Sequence, residues 1–253
     1  MLDRPERELL YGGRLVTHAV QDQVFAGSLW AQLQAHFGES PRDYRGSDFL
    51  ARLQLVRQEL SQAHWRSLCR DFLQSLGIDL AKFSLDRFRL RGVMPGAENI
   101  PAAAAAFYAH RDCWYANPQA QINLWMPLHD VDRLCSFGFY PELFEVAVEN
   151  ESCGFDYDDF VGHGGFQSTA KVPVHPHWTA TEQPEPPYCV ELKQGNLLLF
   201  SAAHLHRSLP NRSGRIRFSL DLRLVHLQDY AQGLGAPNCD NRSRGSALAD
   251  YTW

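Results

Sequence analysis

The sequence predicts a mostly β fold with helical support: a double-stranded β-helix (jelly-roll, cupin-like) core preceded by N-terminal helices. Three observations predict it. Apolar residues recur at helical spacing over the first third of the chain, and from about Phe83 the period changes to two. Beyond that point, short runs rich in aromatic and branched residues alternate with turn-forming clusters. The chain has 253 residues, enough for one large core with additions. Many short strands after a helical block fit a double-sheet roll. A single domain is therefore expected, with residues 1–83 as helical support, 84–226 as the core carrying an irregular insert over 135–187, and 227–253 as a tail.

The elements follow in order. Val20 to Phe37 carries a helical apolar pattern and stops at Gly38, a C-cap residue. Phe49, Leu50, Leu53, Val56 and Leu60 form a second stripe. Ser61 is the expected N-cap of a third helix through Trp65, Leu68, Phe72 and Leu76, closed by Gly77. Phe88, Leu90 and Gly92 then alternate with Arg87, Arg89 and Arg91, as in a half-buried strand. Tyr108 to Asp112 and Gln121 to Leu128 are further strand candidates. The turn Lys193–Asn196 leads into Leu197–Phe200, and the turn Pro210–Gly214 leads into an alternating strand over Ile216–Val225. The stretch from Cys135 to Pro187 is rich in Gly and Pro, and so long an insert is more often functional than idle.

Composition narrows the function classes. The formal charge is 24 − 29 = −5, with no basic stripe, so nucleic acid is not an expected partner. The charged N-terminus lacks an apolar signal region, and no apolar run reaches membrane-spanning length. Six scattered cysteines without a C-x-x-C pair favour reduced thiols. A cytoplasmic location with no membrane partner is expected. The sequons at Asn150, Asn211 and Asn241 carry no weight without secretion.

The chemistry is carried by His110-Arg-Asp112 and, far downstream, His206 and Arg217. If His110 and Asp112 sit on a strand, they share a face and Arg111 points away. Two imidazoles and one carboxylate on one side of a metal leave its other positions open, the arrangement that suits non-haem Fe(II) oxygenases. If the Pro210–Gly214 turn is a hairpin centred near Asn211-Arg212, His206 lies opposite Arg217, Ser208 opposite Arg215, and His204 opposite Ser219. Such pairs come within roughly 5.5 Å at Cβ. The bland readings are a surface His-Arg-Asp triplet and a solvated strand face bearing Arg215, Arg217, Asp221 and Arg223. His204 is expected to pack or to support the ligands, and His175, His177, His163 and the acidic cluster Asp156, Asp158 and Asp159 are expected to be loop residues.

The run His206-Arg-Ser-Leu-Pro-Asn-Arg-Ser-Gly-Arg-Ile-Arg217 resembles the distal-histidine signature of the phytanoyl-CoA dioxygenase (PhyH-like) family of Fe(II)/2-oxoglutarate oxygenases. Gln194–Phe200, His110-x-Asp112 and Asn123–Val131 are similar to that family's strand entry, proximal ligand pair and following strand, and the resemblance spans roughly residues 84 to 226. It implies that His110, Asp112 and His206 hold Fe(II), that Arg217 grips the distal carboxylate of 2-oxoglutarate, and that Ser208 assists. It implies O2 as the second co-substrate and release of succinate and CO2. The acid at Asp112, where halogenating relatives carry a small residue, points to hydroxylation, with desaturation or ring closure as variants. Asp132–Tyr140 departs from the family's Gly-rich segment, which argues against phytanoyl-CoA and for a small polar metabolite as substrate. Gln121 and Asn123 are candidates for hydrogen bonds to 2-oxoglutarate or substrate. Arg89, Trp114, Tyr115 and Trp125 are candidates for the substrate pocket, and Phe139 and Tyr140 are further possible wall residues. The rival readings are a cupin-type metalloenzyme that does not use 2-oxoglutarate and a non-catalytic metal-binding jelly roll.

Overall fold

A computed structural model describes residues 1–21, 23–164 and 175–252. Two antiparallel sheets form the frame. The larger has six strands: β1 (Val16–Ala19), β7 (Asn196–Ser201), β4 (Gln121–Pro127), β9 (Arg217–His226) and β2 (Phe83–Leu85) in that order, with β3 (Arg89–Val93) also pairing with β9. The smaller has three, in the order β6 (Tyr188–Cys189), β5 (Phe137–Phe139) and β8 (His206–Ser208). This is the expected jelly-roll class, with two sheets face to face and helices on the outer face of one.

Strand alternation decides what each face of the large sheet meets. On β4, Ile122, Leu124 and Met126 point outward, as do Leu197 and Leu199 on β7 and Phe218, Leu220, Leu222 and Leu224 on β9. All join one buried cluster with three helices, α2 (Val24–Phe37), α3 (Phe49–Leu60) and α4 (Ala63–Ser75). Those helices contribute the stripes read from the sequence: Phe25, Leu29, Leu33 and Phe37, then Phe49, Leu53, Val56 and Leu60, then Trp65, Cys69, Phe72 and Leu73. Close approach is built in at Gly92 of β3, where a Cβ would stand 2.9 Å from Phe49 and 3.0 Å from Leu53 of α3. Alternate residues point into the space between the sheets, where Trp125, Leu198 and Phe200 pack on Phe137, Phe139 and Val190.

Several sequence expectations are corrected. The first 83 residues are not purely helical support, because β1 pairs with β7 in the main sheet and a short helix, α1 (Arg4–Tyr11), precedes it. Ser61 ends α3, and α4 begins after Gln62 without a side-chain cap. The insert 135–187 contains β5, the central strand of the small sheet, together with α5 (Tyr157–Gly162); Gly165 and Pro173 fall outside the described residues. The Pro210–Gly214 turn is not a hairpin. It carries the chain from the small sheet to the large one, so β8 pairs with β5 while β9 pairs with β2, β3 and β4. Asn211 holds this crossing, its side-chain amide donating to Val93 O (2.7 Å) and Arg215 O (2.8 Å). The tail docks on the core: α6 (Leu227–Ala231) follows β9 directly, and Tyr251 is buried. No helix among the described residues is long and apolar enough to cross a membrane.

Candidate metal centre

His110 and His206 are joined at the backbone. His110 N donates to His206 O (2.9 Å) and His206 N donates to His110 O (3.0 Å), an isolated antiparallel bridge at the edge of the small sheet. The expected strand over Tyr108–Asp112 is reduced to that single bridge, and the chain turns into a 3-10 helix at Asp112–Tyr115. The ligand pair still converges, because Arg111 keeps an extended backbone between them. One donor atom each from His110, Asp112 and His206 falls within 4.8 Å of the others, and this is the only such group of three His, Cys, Asp or Glu residues among the described residues.

The donor chemistry suits a divalent cation. His110 Nδ1 lies 2.8 Å from Tyr108 O, and His206 Nδ1 lies 2.9 Å from His204 O. A carbonyl only accepts, so each Nδ1 carries the proton and each Nε2 presents a lone pair. Burial pushes the His110 imidazole down to about 4, so it is neutral at pH 7. Burial opposes ionisation of Asp112, but Arg223, the two imidazoles and Asn123 outweigh it and hold the carboxyl well below the usual range. Arg223 Nη2 donates to Asp112 Oδ1 (3.0 Å) and Asn123 Nδ2 to Oδ2 (2.6 Å). Aromatic rings surround His206, with Phe200 at 5.6 Å and Phe139 at 5.8 Å between centroids.

The inner face of β9 carries Arg217, Ser219, Asp221 and Arg223, opposite in direction to Phe218, Leu220 and Leu222. It is not the solvated face of the bland reading: Arg217 is 4% exposed and Ser219 fully buried. Arg217 Nη1 donates weakly to Cys135 O (3.4 Å), while its Nε and Ser219 Oγ have no hydrogen-bond partner. Burial pushes the Arg217 guanidinium down to about 10, so it remains a cation at neutral pH; Asp221 favours that charge from a distance, and among the described residues no acid is ion-paired with it. A buried cation without a close ion pair is costly, and an anion at this end of the strand would relieve that cost.

The other predicted site residues divide. Gln121 Nε2 donates to Asn123 Oδ1 (2.7 Å), Asn123 Nδ2 donates to Asp112 Oδ2 (2.6 Å), and the Tyr251 hydroxyl donates to Gln121 Oε1 (2.5 Å), so the hydrogen bonds of both amides run within the protein rather than outward. Trp114 is corrected from pocket wall to core: it is fully buried and its Nε1 donates to Asp240. Trp125 lies in the packing between the sheets, against Phe137. Arg89 is tied to Asp86 (2.5 Å). Tyr115 does approach the centre, edge-on to His110 at 5.8 Å. Ser208 is half-buried on β8, opposite Phe137, and no hydrogen bond joins it to Arg217. His204 packs between Phe144 and Phe139, as expected. His177 pairs with Glu151 (3.1 Å), and Asp156 caps α5.

Three residues escaped the sequence reading. Arg223, which the sequence suggests only as part of a solvated strand face, pairs with Asp112. Arg111 is fully buried, not turned to solvent; it donates to Asp240 and to the carbonyls of Phe144, Leu143, Val146 and Ala203. Asp240 lies in the tail, 129 residues away in sequence, and no local pattern marks it.

No family profile and no curated protein matches the chain. Among solved structures, EvdO2 from Micromonospora carbonacea var. aurantiaca, complexed with 2-oxoglutarate, is similar at 13% identity over 89% of this chain and 91% of that one, with a TM-score of 0.49. The non-haem monooxygenase ThoJ is similar at 13% identity over 87% of this chain and 76% of that one, TM-score 0.49. The epimerase SnoN from nogalamycin biosynthesis, in complex with Fe3+, α-ketoglutarate and nogalamycin RO, is similar at 18% identity over 88% and 84% of the two chains, TM-score 0.44. Likeness at this level carries no functional argument, so the chemistry is argued from the site.

Proposed function

We propose that this chain is an Fe(II)/2-oxoglutarate-dependent oxygenase of the PhyH-like kind, hydroxylating, desaturating or cyclising an unactivated C–H of a small polar metabolite with release of succinate and CO2. The observation that carries the proposal is the pairing of a neutral His, an ionised Asp and a second His within 4.8 Å with a buried guanidinium that has no ion-paired acid among the described residues. The first set fits Fe(II), and the second fits the distal carboxylate of a keto acid. A metal-binding roll that never meets 2-oxoglutarate has no use for Arg217 in that state.

Each residue then has a task. His110 and His206 hold their Nε2 lone pairs toward the metal because their Nδ1–H groups are anchored on carbonyls. Asp112 supplies the anionic ligand, steadied by Asn123 and Arg223. Arg217, helped by Ser219 and Ser208, binds and orients 2-oxoglutarate. Phe137, Phe139 and Phe200 keep water from the His206 side, which strengthens every charge interaction there. Tyr115 contributes to the substrate wall beside His110, and Arg89, paired with Asp86, borders it at the Arg223 end. The bound iron supplies activation of O2 coupled to oxidative decarboxylation of the keto acid. The test is succinate formation. The Fe(II)-loaded protein should produce succinate from 2-oxoglutarate in an O2-dependent way, faster with a substrate found by metabolite screening, and Asp112→Ala should abolish it. Succinate formation by the Asp112→Ala protein at the wild-type rate would refute the assignment.

A further inference from the structure

The C-terminal tail reaches the candidate metal carboxylate through a chain of amides. Tyr251, 4% exposed, places its hydroxyl 2.5 Å from Gln121 Oε1 and 3.1 Å from Asn117 Oδ1. Gln121 Nε2 donates to Asn123 Oδ1 (2.7 Å), and Asn123 Nδ2 donates to Asp112 Oδ2 (2.6 Å). A second arm runs from Asn117 Nδ2 to the backbone carbonyl of Asp112 (2.9 Å). Gln121, Asn123 and Asn117 are all buried, so water does not compete for these bonds.

The ionised carboxylate fixes the direction of the whole chain. It only accepts, so Asn123 must turn its NH2 toward it and its oxygen toward Gln121. Gln121 must then offer NH2 to Asn123 and expose its own oxygen to Tyr251, which must donate. The Tyr251 hydroxyl is the donor that completes the sequence. A phenyl ring there would leave Gln121 Oε1 buried and unsatisfied, a condition that favours rotation of the amide away from Asn123.

The geometry points to Tyr251 as a positioning residue for the metal site: its hydroxyl, acting through Gln121 and Asn123, fixes Asp112 Oδ2, so that docking of the tail and binding of the metal are coupled. This rests on the reading of His110, Asp112 and His206 as metal ligands.

The test is calorimetric titration of the metal-free full chain with Co(II). Wild type should bind one ion. Tyr251→Phe should bind roughly tenfold or more weakly, in the range set by other residues that orient ligands. Gln121→Leu should weaken binding similarly, and the double variant should be no weaker than either single variant, since both break one series. Thermal unfolding of each metal-free variant checks folding. Independently of any variant, hydrogen exchange of residues 247–251 in wild type should slow when Co(II) saturates the site, because coupling is reciprocal. Binding by Tyr251→Phe within twofold of wild type, losses that multiply in the double variant, or tail exchange indifferent to Co(II) would each overturn the relay. A wild type that takes up no Co(II) would instead overturn the underlying metal assignment.

Discussion

The two faces of β9 are chemically opposite. Outward, Phe218, Leu220, Leu222 and Leu224 are all at most 1% exposed and sink into the helical cluster, with Phe218 against Phe37 (5.7 Å) and Phe49 (6.3 Å). Inward, the same strand carries Arg217, Ser219, Asp221 and Arg223, and three of these four have a buried polar atom with no hydrogen-bond partner among the described residues. One face is saturated by packing. The other is poised for ligands. Stability and binding should therefore separate residue by residue along one strand.

Three changes test that separation and the packing around it, from the largest expected effect to the smallest. Asp240→Ala removes the acid that neutralises the buried Arg111 and should cost about 3–5 kcal/mol in denaturant unfolding. Phe218→Ala on the outward face should cost a similar ~3–5 kcal/mol, yet leave Co(II) affinity of the folded protein within about threefold of wild type. Arg217→Met on the inward face should do the reverse. It should reduce 2-oxoglutarate affinity roughly 100-fold, about 2.7 kcal/mol, while leaving the ligand-free protein as stable or more stable, since a buried uncompensated cation is replaced by an apolar side chain. A large loss of stability from Arg217→Met would erase the contrast between the faces.

A further test comes from pH. Burial pushes His129 down to about 4 and His204 down to about 3. His129 Nε2 accepts a hydrogen bond from Phe218 N (3.0 Å), and the ring must be neutral to do so. Below the ordinary imidazole value of about 6.5 the unfolded chain takes up protons that the native state does not. These two groups therefore contribute stability that is complete above about 6.5 and is lost progressively as the pH falls toward 4 and then 3. Denaturant midpoints of the metal-free protein should decline across that window, and His204→Phe should flatten the decline. An unchanged slope in that variant would remove His204 from the account.

What the sequence made legible follows from range. Alternation in β4, β7 and β9 and the stripes of α2 and α3 are local signals, and each element formed within a few residues of its expected bounds. The spacing from His206 to Arg217 was equally legible, although its expected geometry was not, because a turn that joins two sheets looks like one that joins two strands of a hairpin. Asn211 decides between them through a contact with Val93, far away in sequence. Arg111, Arg223, Asp240 and Tyr251 were illegible for the same reason. Each takes its meaning from partners on other elements, and as isolated residues they resemble surface charge or a loose tail. The convergence of His110 on His206 likewise depends on a single backbone bridge, shorter than any strand a periodicity can reveal.

The most direct measurement is an anaerobic absorption titration of the Fe(II)-loaded protein with 2-oxoglutarate. The account predicts a weak visible charge-transfer band that saturates at one equivalent, shifts to much higher 2-oxoglutarate concentration in Arg217→Ala, and vanishes in Asp112→Ala along with tight metal binding. A protein that holds iron but gives no band with the keto acid, or a band unchanged by both substitutions, would contradict it.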